Sequence, residues 1–343
     1  MALNYDSLNA LVKDKYLPIL VNNIFDSNVL AGRMLGKAKK HSSTKTIVGA
    51  LQYARNSAQG MIGKYEKMNL QVPEPFTAAK YTPITAYQAL SLAWEDQIEY
   101  TSAEAIRNDI EDFMDNAERS FKKLFAEKMY QLNSAKGTND IQTLDGIVSD
   151  SVTMGGIAVA DGAWWVSDVL TTTDFGSTDL TDIDVLTNPE SEGFIEKILQ
   201  LAVTKATFDA NKPSVIVMTQ HLFNIIDTVA SSTISRDFSV KKTGSAVERM
   251  VSMGFDAMQY LNIPIIADDE LYASQADDNS GRIYCINYKS LHFDVNKKGN
   301  FAHKPFAEPV GQNTQTMKIL WRGNLDVYNR KEQSVVTGLL SKY

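Results

Sequence analysis

Between Thr101 and Leu132 the chain reads TSAEAIRNDIEDFMDNAERSFKKLFAEKMYQL, and no other stretch limits the fold so strongly. Thr101 and Glu104 have the spacing of a capping box, in which the first turn of a helix satisfies its own free donors. Apolar residues follow at Ile106, Ile110, Phe113, Ala117, Phe121, Leu124 and Leu132, three or four apart except for one missed turn at Lys128. The pattern predicts a single helix over residues 102–133, of about nine turns and roughly 45 Å. Asp109, Asp112, Glu118 and Lys122 fall on its opposite, wet face. A helix of this length spans a domain, so the rest of the chain has to pack along it.

The helix runs into EKMYQLNSAKGTNDIQTLDGIVSD, where Gly137 and Gly146 invite comparison with a phosphate loop. Nothing supports that chemistry. A Walker loop needs a glycine five residues before its Gly-Lys pair and a hydroxyl after it, and around Gly63-Lys64 those positions hold Ala58 and Tyr65. Gly-x-Gly-x-x-Gly, Gly-x-Ser-x-Gly and His-Glu-x-x-His are all missing from the sequence. The four histidines, His41, His221, His292 and His303, are too far apart in sequence to share a helix face, so no catalytic, cofactor or metal-ligating set is assigned. Asp268, Asp269, Glu270, Asp277 and Asp278 lack calcium-loop spacing and read as a solvated turn. Trp164 and Trp165 read as core or subunit contact. The single cysteine, Cys285, lies in the alternating run RIYCINY and reads as a small strand filler.

Charge and composition narrow the class further. With 343 residues, 44% of them hydrophobic and 22% charged, the chain can bury one large core or two moderate ones. A net charge of −7 argues against gripping nucleic acid through its phosphates. No segment reaches the apolar length of a membrane span, and Asp6, Lys13, Asp14 and Lys15 interrupt the start where a signal peptide needs an apolar run, which predicts an intracellular protein.

Along the chain, residues 1–40 read as an arm, with LNALVKDKYLPILVNNIF followed by GRMLGKAKKH. Residues 45–55 and 80–94 have strand composition and enclose a polar stretch with Gly60, Gly63, Pro73 and Pro75, too long for a tight turn. They predict a long two-stranded excursion with an irregular tip. Beyond the helix, the stretch 150–187 with TTTDFGSTDLTDIDVL reads as a surface insertion or short strands, Asn188-Pro189 as the start of a second helix, and residues 214–218 as a buried strand feeding another. Two further strands, in LNIPIIADDE and GRIYCINYKSLHFDV, complete an α+β unit, and TQTMKILWRGNLDVYNRKEQSVVTGL closes the chain as a long strand or strand pair.

This order of parts, an arm, an excursion, a helix closing on GTNDIQTLDGI, a unit containing KPSVIVMTQHLFNII and LNIPIIADDEL, and a final WRGNLDVYNRKEQSVVTGL, resembles the major capsid proteins of tailed bacteriophages over nearly the whole chain. The resemblance implies the α+β Hong-Kong-97-type fold. Its parts would be an N-arm at 1–40, an E-loop at 41–95, a P-domain at 96–190 with its spine helix and the insertion, an A-domain at 191–300, and C-terminal strands at 301–343 returning to the P-domain and A-domain. Gly137 and Gly146 then serve as turn residues at the helix exit. The implied function is structural: hexamers and pentamers of one chain enclosing double-stranded DNA without sequence-specific contacts. The implied partners are a separate scaffolding protein, a portal and a decoration protein, the implied place the virion after synthesis in the bacterial cytoplasm, and no membrane is involved. Relatives often begin with a helical scaffolding segment, whereas here Met1 leads straight into the arm; some form lysine to asparagine crosslinks, for which no residue pair matches. Arg55, Lys64, Glu66 and Lys67 in the E-loop are the candidates for contact with a neighbouring subunit. An encapsulin-type shell shares the expected fold, and a soluble ligand-binding or hydrolytic α+β protein is the rival from another class.

Overall fold

The computed structural model describes residues 30–31, 34, 37–42, 45–54, 59–68, 76–93, 103–232, 240–241, 257–268, 270–271, 281–308, 311 and 313–340. Helix α1, Ala103–Tyr130, is the spine. Its buried stripe is Met114, Ala117, Phe121, Phe125 and Met129, while Asp112, Asp115, Arg119, Lys123 and Glu127 are exposed. Ala117 and Phe121 of the expected stripe are buried, while Met114 and Phe125 take the places expected for Phe113 and Leu124. Phe113 and Leu124 sit at its half-buried margins because Phe125 takes the centre, edge-on to Trp321 at 4.8 Å and close to Phe293 and Phe301. Thr101 and the side chains of Glu104, Ile106 and Ile110 lie outside the described residues. The helix stops at Tyr130, short of 133, where the chain tightens into a 3-10 turn at Asn133–Ala135 whose first N–H donates to Asp145 Oδ2 at 2.8 Å.

The spine packs on a five-stranded sheet of β1 (Lys39–His41), β4 (Ile84–Ala93), β11 (Leu291–Asn296), β12 (Ala302–Ala307) and β13 (Thr314–Val327). β4, β11 and β12 all pair antiparallel to β13, and β1 joins β11 in parallel. Side chains alternate across a strand, so Phe293, Ile319, Trp321 and Leu325 line the face toward α1. Leu30, Ala31 and Met34 enter the same core, which anchors the root of the arm.

Strands β2 (Ile47–Gln52) and β3 (Phe76–Tyr81) form the antiparallel hairpin of the excursion. The expected single strand over 80–94 is broken at Pro83, which has no N–H to donate to a ladder: β3 pairs with β2, while β4 joins the spine sheet.

A seven-stranded sheet separates two cores. Its order is β5 (Asp168–Leu170), β14 (Ser334–Leu339), β10 (Gly281–Ile286), β6 (Val215–Met218), β9 (Ile263–Ala267), β8 (Ala257–Tyr260) and β7 (Val240–Lys241). Val215, Val217, Tyr284 and Ile286 face the core shared with α1. Ile216, Met218, Ile283 and Cys285 face the other core, with helices α2 (Ile195–Lys205) and α3 (Gln220–Ser232). Burial on both faces explains why VIVM is continuously apolar.

Three expectations need correction. Of the two readings of 150–187, the surface insertion fails, since Met154, Trp165, Leu170, Phe175, Leu180 and Leu186 are buried, and the stretch supplies one short strand, β5, to the sheet. The second helix begins at Ile195, because the Asn188 side chain accepts from the Glu190 N–H at 3.0 Å and holds Asn188-Pro189 in a local turn. Gly146 lies inside a helical turn, Leu144–Ile147, capped by Thr143, and is not an exit residue of the spine. A Cβ there would come within 2.6 Å of Asn133 Oδ1 and would push that side chain aside. Gly137 does occupy a turn, its N–H donating to Asp140 Oδ2 at 2.9 Å and its carbonyl accepting from the Asp140 N–H at 3.2 Å.

The buried Arg330 ties these connections together. Its guanidinium donates to the carbonyls of Gly146, Ile147, Ser149, Val152 and Trp165 at 2.6–3.3 Å.

Candidate functional site

The hairpin has a fixed base and an exposed tip. At the base Ile47 and Leu51 are buried, and Tyr53 stacks on Trp164 with ring centroids 5.4 Å apart. The Lys80 N–H donates to the Gly155 carbonyl at 2.8 Å, and Gly155, at φ +64°, lies where a Cβ would meet Ala79 at 2.7 Å. The paired tryptophans therefore act within the chain. Trp164 braces the hairpin, and the buried Trp165 donates its indole N–H to the Met154 carbonyl at 2.9 Å.

At the tip, Lys64, Glu66 and Lys67 are exposed, as a contact surface requires; Arg55, Pro73 and Pro75 lie outside the described residues, as do Gly32 and Gly36 in the arm. Glu66 is committed locally. Its Oε2 accepts from the Gly63 N–H at 2.8 Å, and its own N–H donates to the Gly63 carbonyl at 3.2 Å, closing a small turn. Beside these charges stand side chains that charge-based reasoning passed over: Met61 is 103% exposed, Tyr65 89% and Met68 64%. A cluster of exposed apolar groups on one protrusion marks a contact surface, and flexible methionines adapt to partners of different shape. The signal was present in GMIGKYEKM, as apolar residues inside a segment otherwise too polar to be core.

The structure also gathers polar groups that are dispersed in sequence. His292 and Asp294 lie two apart on β11, and Asp326 pairs across from His292 on β13. All three are buried, and their ligating atoms lie within 4.8 Å of one another. Asp294 Oδ2 accepts from the Tyr328 hydroxyl at 2.8 Å and lies 2.9 Å from His41 Nε2 on β1. The Tyr328 ring stacks on His292 at 4.8 Å, and Lys39 Nζ lies 4.1 Å above that ring. Burial, then the facing Asp294 carboxylate, pushes the Asp326 carboxyl up to about 9. Burial and then Lys39 push His292 down to about 4, leaving a neutral imidazole. Periodicity cannot reveal such a cluster, because register between distant strands creates it.

Other residues weighed from sequence fall elsewhere. Cys285 is buried in β10, and burial pushes its thiol up to about 12. Asp268 accepts from the Tyr130 hydroxyl at 2.8 Å and from the Glu270 N–H at 3.1 Å, a structural role; Asp269, Asp277 and Asp278 lie outside the described residues. Among the described residues no helix is long and apolar enough to cross a membrane.

No protein-family model matches the sequence, and no curated protein matches it. Solved structures do. The capsid asymmetric unit of cyanophage A-1(L) is similar at a TM-score of 0.58 and 14% identity, over 90% of this chain and 91% of that one. The capsid of an empty GTA particle is similar at 0.52 and 10% identity, over 89% of each chain. The holo-SrpI encapsulin complex of Synechococcus elongatus is similar at 0.52 and 8% identity, over 91% of this chain and 88% of that one. The likeness covers about 90% of the chain, and on it the protein has the α+β Hong-Kong-97-type capsid fold.

Proposed function

We propose that this chain is the major capsid protein of a tailed double-stranded DNA bacteriophage, a non-enzymatic subunit that assembles into hexamers and pentamers of an icosahedral shell. The observation that carries the proposal is the hairpin tip. On a body of this fold, a protrusion with a braced base and with Met61, Tyr65 and Met68 in solvent has its apolar surface left to cover by a neighbour. Arg55, Lys64 and Lys67 supply charge around that contact, while Glu66 holds the turn that presents it. The arm at 1–40 and the E-loop at 41–95 are the assembly devices; the P-domain, the A-domain and the C-terminal strands form the body. A net charge of −7 suits a container whose wall holds packaged DNA loosely enough to release it. A scaffolding protein, a portal and a decoration protein complete the assembly, the shell is the site of action, and synthesis takes place in the host cytoplasm.

The encapsulin likeness keeps a second shell reading in view, in which the cargo is protein. Negative-stain microscopy of the purified chain, alone and with its assembly partners, tests both. Closed shells or rings of five- and six-fold units are expected. A stable monomer at every salt and protein concentration, even with the partners present, refutes assembly, and shells filled with a protein cargo in place of DNA favour the encapsulin reading.

A further inference from the structure

We infer that His292, Asp294 and Asp326, joined by His41 from the root of the arm, form a site for one divalent transition-metal ion of the zinc class. The inference begins with strand geometry. Leu291, Phe293 and Val295 of β11 belong to the core under α1, so His292 and Asp294 turn to the opposite face of the sheet. Direct pairing of His292 with Asp326 adds a second carboxylate on that face. A sheet face carrying two carboxylates and an imidazole is ordinarily wet, yet Asp294 and Asp326 are 0% exposed and His292 is 5% exposed.

Their partners do not account for this burial. The Tyr328 hydroxyl donates to one oxygen of Asp294, and His41 Nε2 lies 2.9 Å from that same oxygen. The Asp326 carboxyl faces the Asp294 carboxyl and the Tyr328 hydroxyl, but none of these contacts has good hydrogen-bond geometry to Asp294 Oδ1 or to either Asp326 oxygen, and Nε2 of His292 also meets no hydrogen-bond partner. Two facing carboxylates in a dry site require a shared proton or a cation, and the buried His292 Nε2 beside them, which meets no partner, adds a nitrogen donor that a metal ion uses and a proton between carboxylates does not. Calcium needs six to eight oxygen ligands, more than this set supplies. Two carboxylates with one or two imidazoles match the mixed nitrogen and oxygen donors of zinc. Zinc bonds of about 2.0–2.2 Å need donors closer together than the present spread, which small side-chain rotations provide. The surroundings already orient the donors. Tyr328 fixes Asp294 and stacks on His292, and the ring is closed over by Gly49 of β2, where a Cβ would lie 2.5 Å from Tyr328 Cε1. An ion here would clamp three parts at one point: the arm through β1, the hairpin through β2, and the spine sheet through β11 and β13.

The test uses the full chain, stripped with EDTA and dialysed against buffer or against Zn²⁺, Mn²⁺ or Ca²⁺ separately. Elemental analysis is expected to find about one zinc per chain. The melting temperature should rise by about 4 °C at free Zn²⁺ a hundredfold above Kd. Asp326→Asn replaces a carboxyl ligand with a neutral amide of the same shape, so it should fold and bind zinc at least ~100-fold more weakly. His292→Gln should do the same, and carries the test if the first variant does not fold. Three results overturn the site: a parent chain that retains no zinc and melts unchanged, variants that bind as the parent does, or stabilisation by Ca²⁺ alone.

Discussion

Replacing Met61, Tyr65 and Met68 together by serine separates folding from assembly in one molecule. The three side chains are 103%, 89% and 64% exposed, so removing them takes almost nothing from the subunit's own core. Covered by a neighbouring subunit, the same groups contribute differently. Burying a methionine fully is worth about 1.5–3 kcal/mol, and a tyrosine at least as much. Scaled by these exposures, the three supply about 4–8 kcal/mol per subunit before costs, which ordering the loop and its side chains reduces to about 3. A loss of about 3 kcal/mol raises the concentration needed for association more than ~100-fold. Circular dichroism and thermal melting of the unassembled variant should therefore match the parent, while light scattering and microscopy show shells only at far higher concentration, if at all. Two outcomes refute the reasoning: shells at the parent's concentration, or a variant subunit that melts well below the parent, which would place the tip on its own body.

Phe121→Asp puts a carboxylate where the side chain is 1% exposed, at a cost of several kcal/mol against a total stability of about 5–15, so soluble expression should collapse. Phe113→Asp, at the half-buried margin of the same helix, should express and melt only moderately lower. Arg330→Met leaves five carbonyls without their shared donor and should lower the stability of the unassembled subunit by about 3–5 kcal/mol, read from the urea midpoint. With its thiol pushed up to about 12 and buried, Cys285 should resist a thiol reagent at pH 8 in the native chain and react fully once the chain is unfolded in urea.

What could be read from the sequence follows the range of the interactions involved. The spine was legible because three- and four-residue spacing is local; Ala117 and Phe121 were placed on the buried face, whereas Phe113 and Leu124 stand one residue from the buried Met114 and Phe125. The true centre is set by Phe125 meeting Trp321, a residue 196 positions further along (321 − 125). The excursion was legible from glycine, proline and charge, but charge drew attention from Met61 and Tyr65, whose exposure makes them the stronger contact candidates. Stretch 150–187 misled for a comparable reason. Its threonines and aspartates form local caps, such as Thr171 with Asp174 and Asp182 with Asp184, while Phe175, Leu180 and Leu186 between them point into the second core. The polar cluster required knowing that β11 pairs with β13 so that residue 292 faces 326, and no local pattern encodes that register.

On the proposed shell reading, the two cores explain how the arm and the hairpin can serve assembly without weakening the body. Because one sheet contributes alternate residues to both cores, bending the body would disturb β6, β10 and β14 on each face at once, and tightly packed interiors resist such deformation. Strain imposed by different neighbours therefore has to be taken up in the parts that share least with these cores. The hairpin meets that condition, since it is held at its base through Trp164, Tyr81 and Gly155 and bears its exposed side chains beyond them. The proposed metal site lies where that base, the root of the arm and the spine sheet converge. Changing its occupancy would alter the angle at which both devices leave the body while the body itself stays unchanged, so the metal-stripped and metal-loaded chains should differ in shell formation more than in secondary structure.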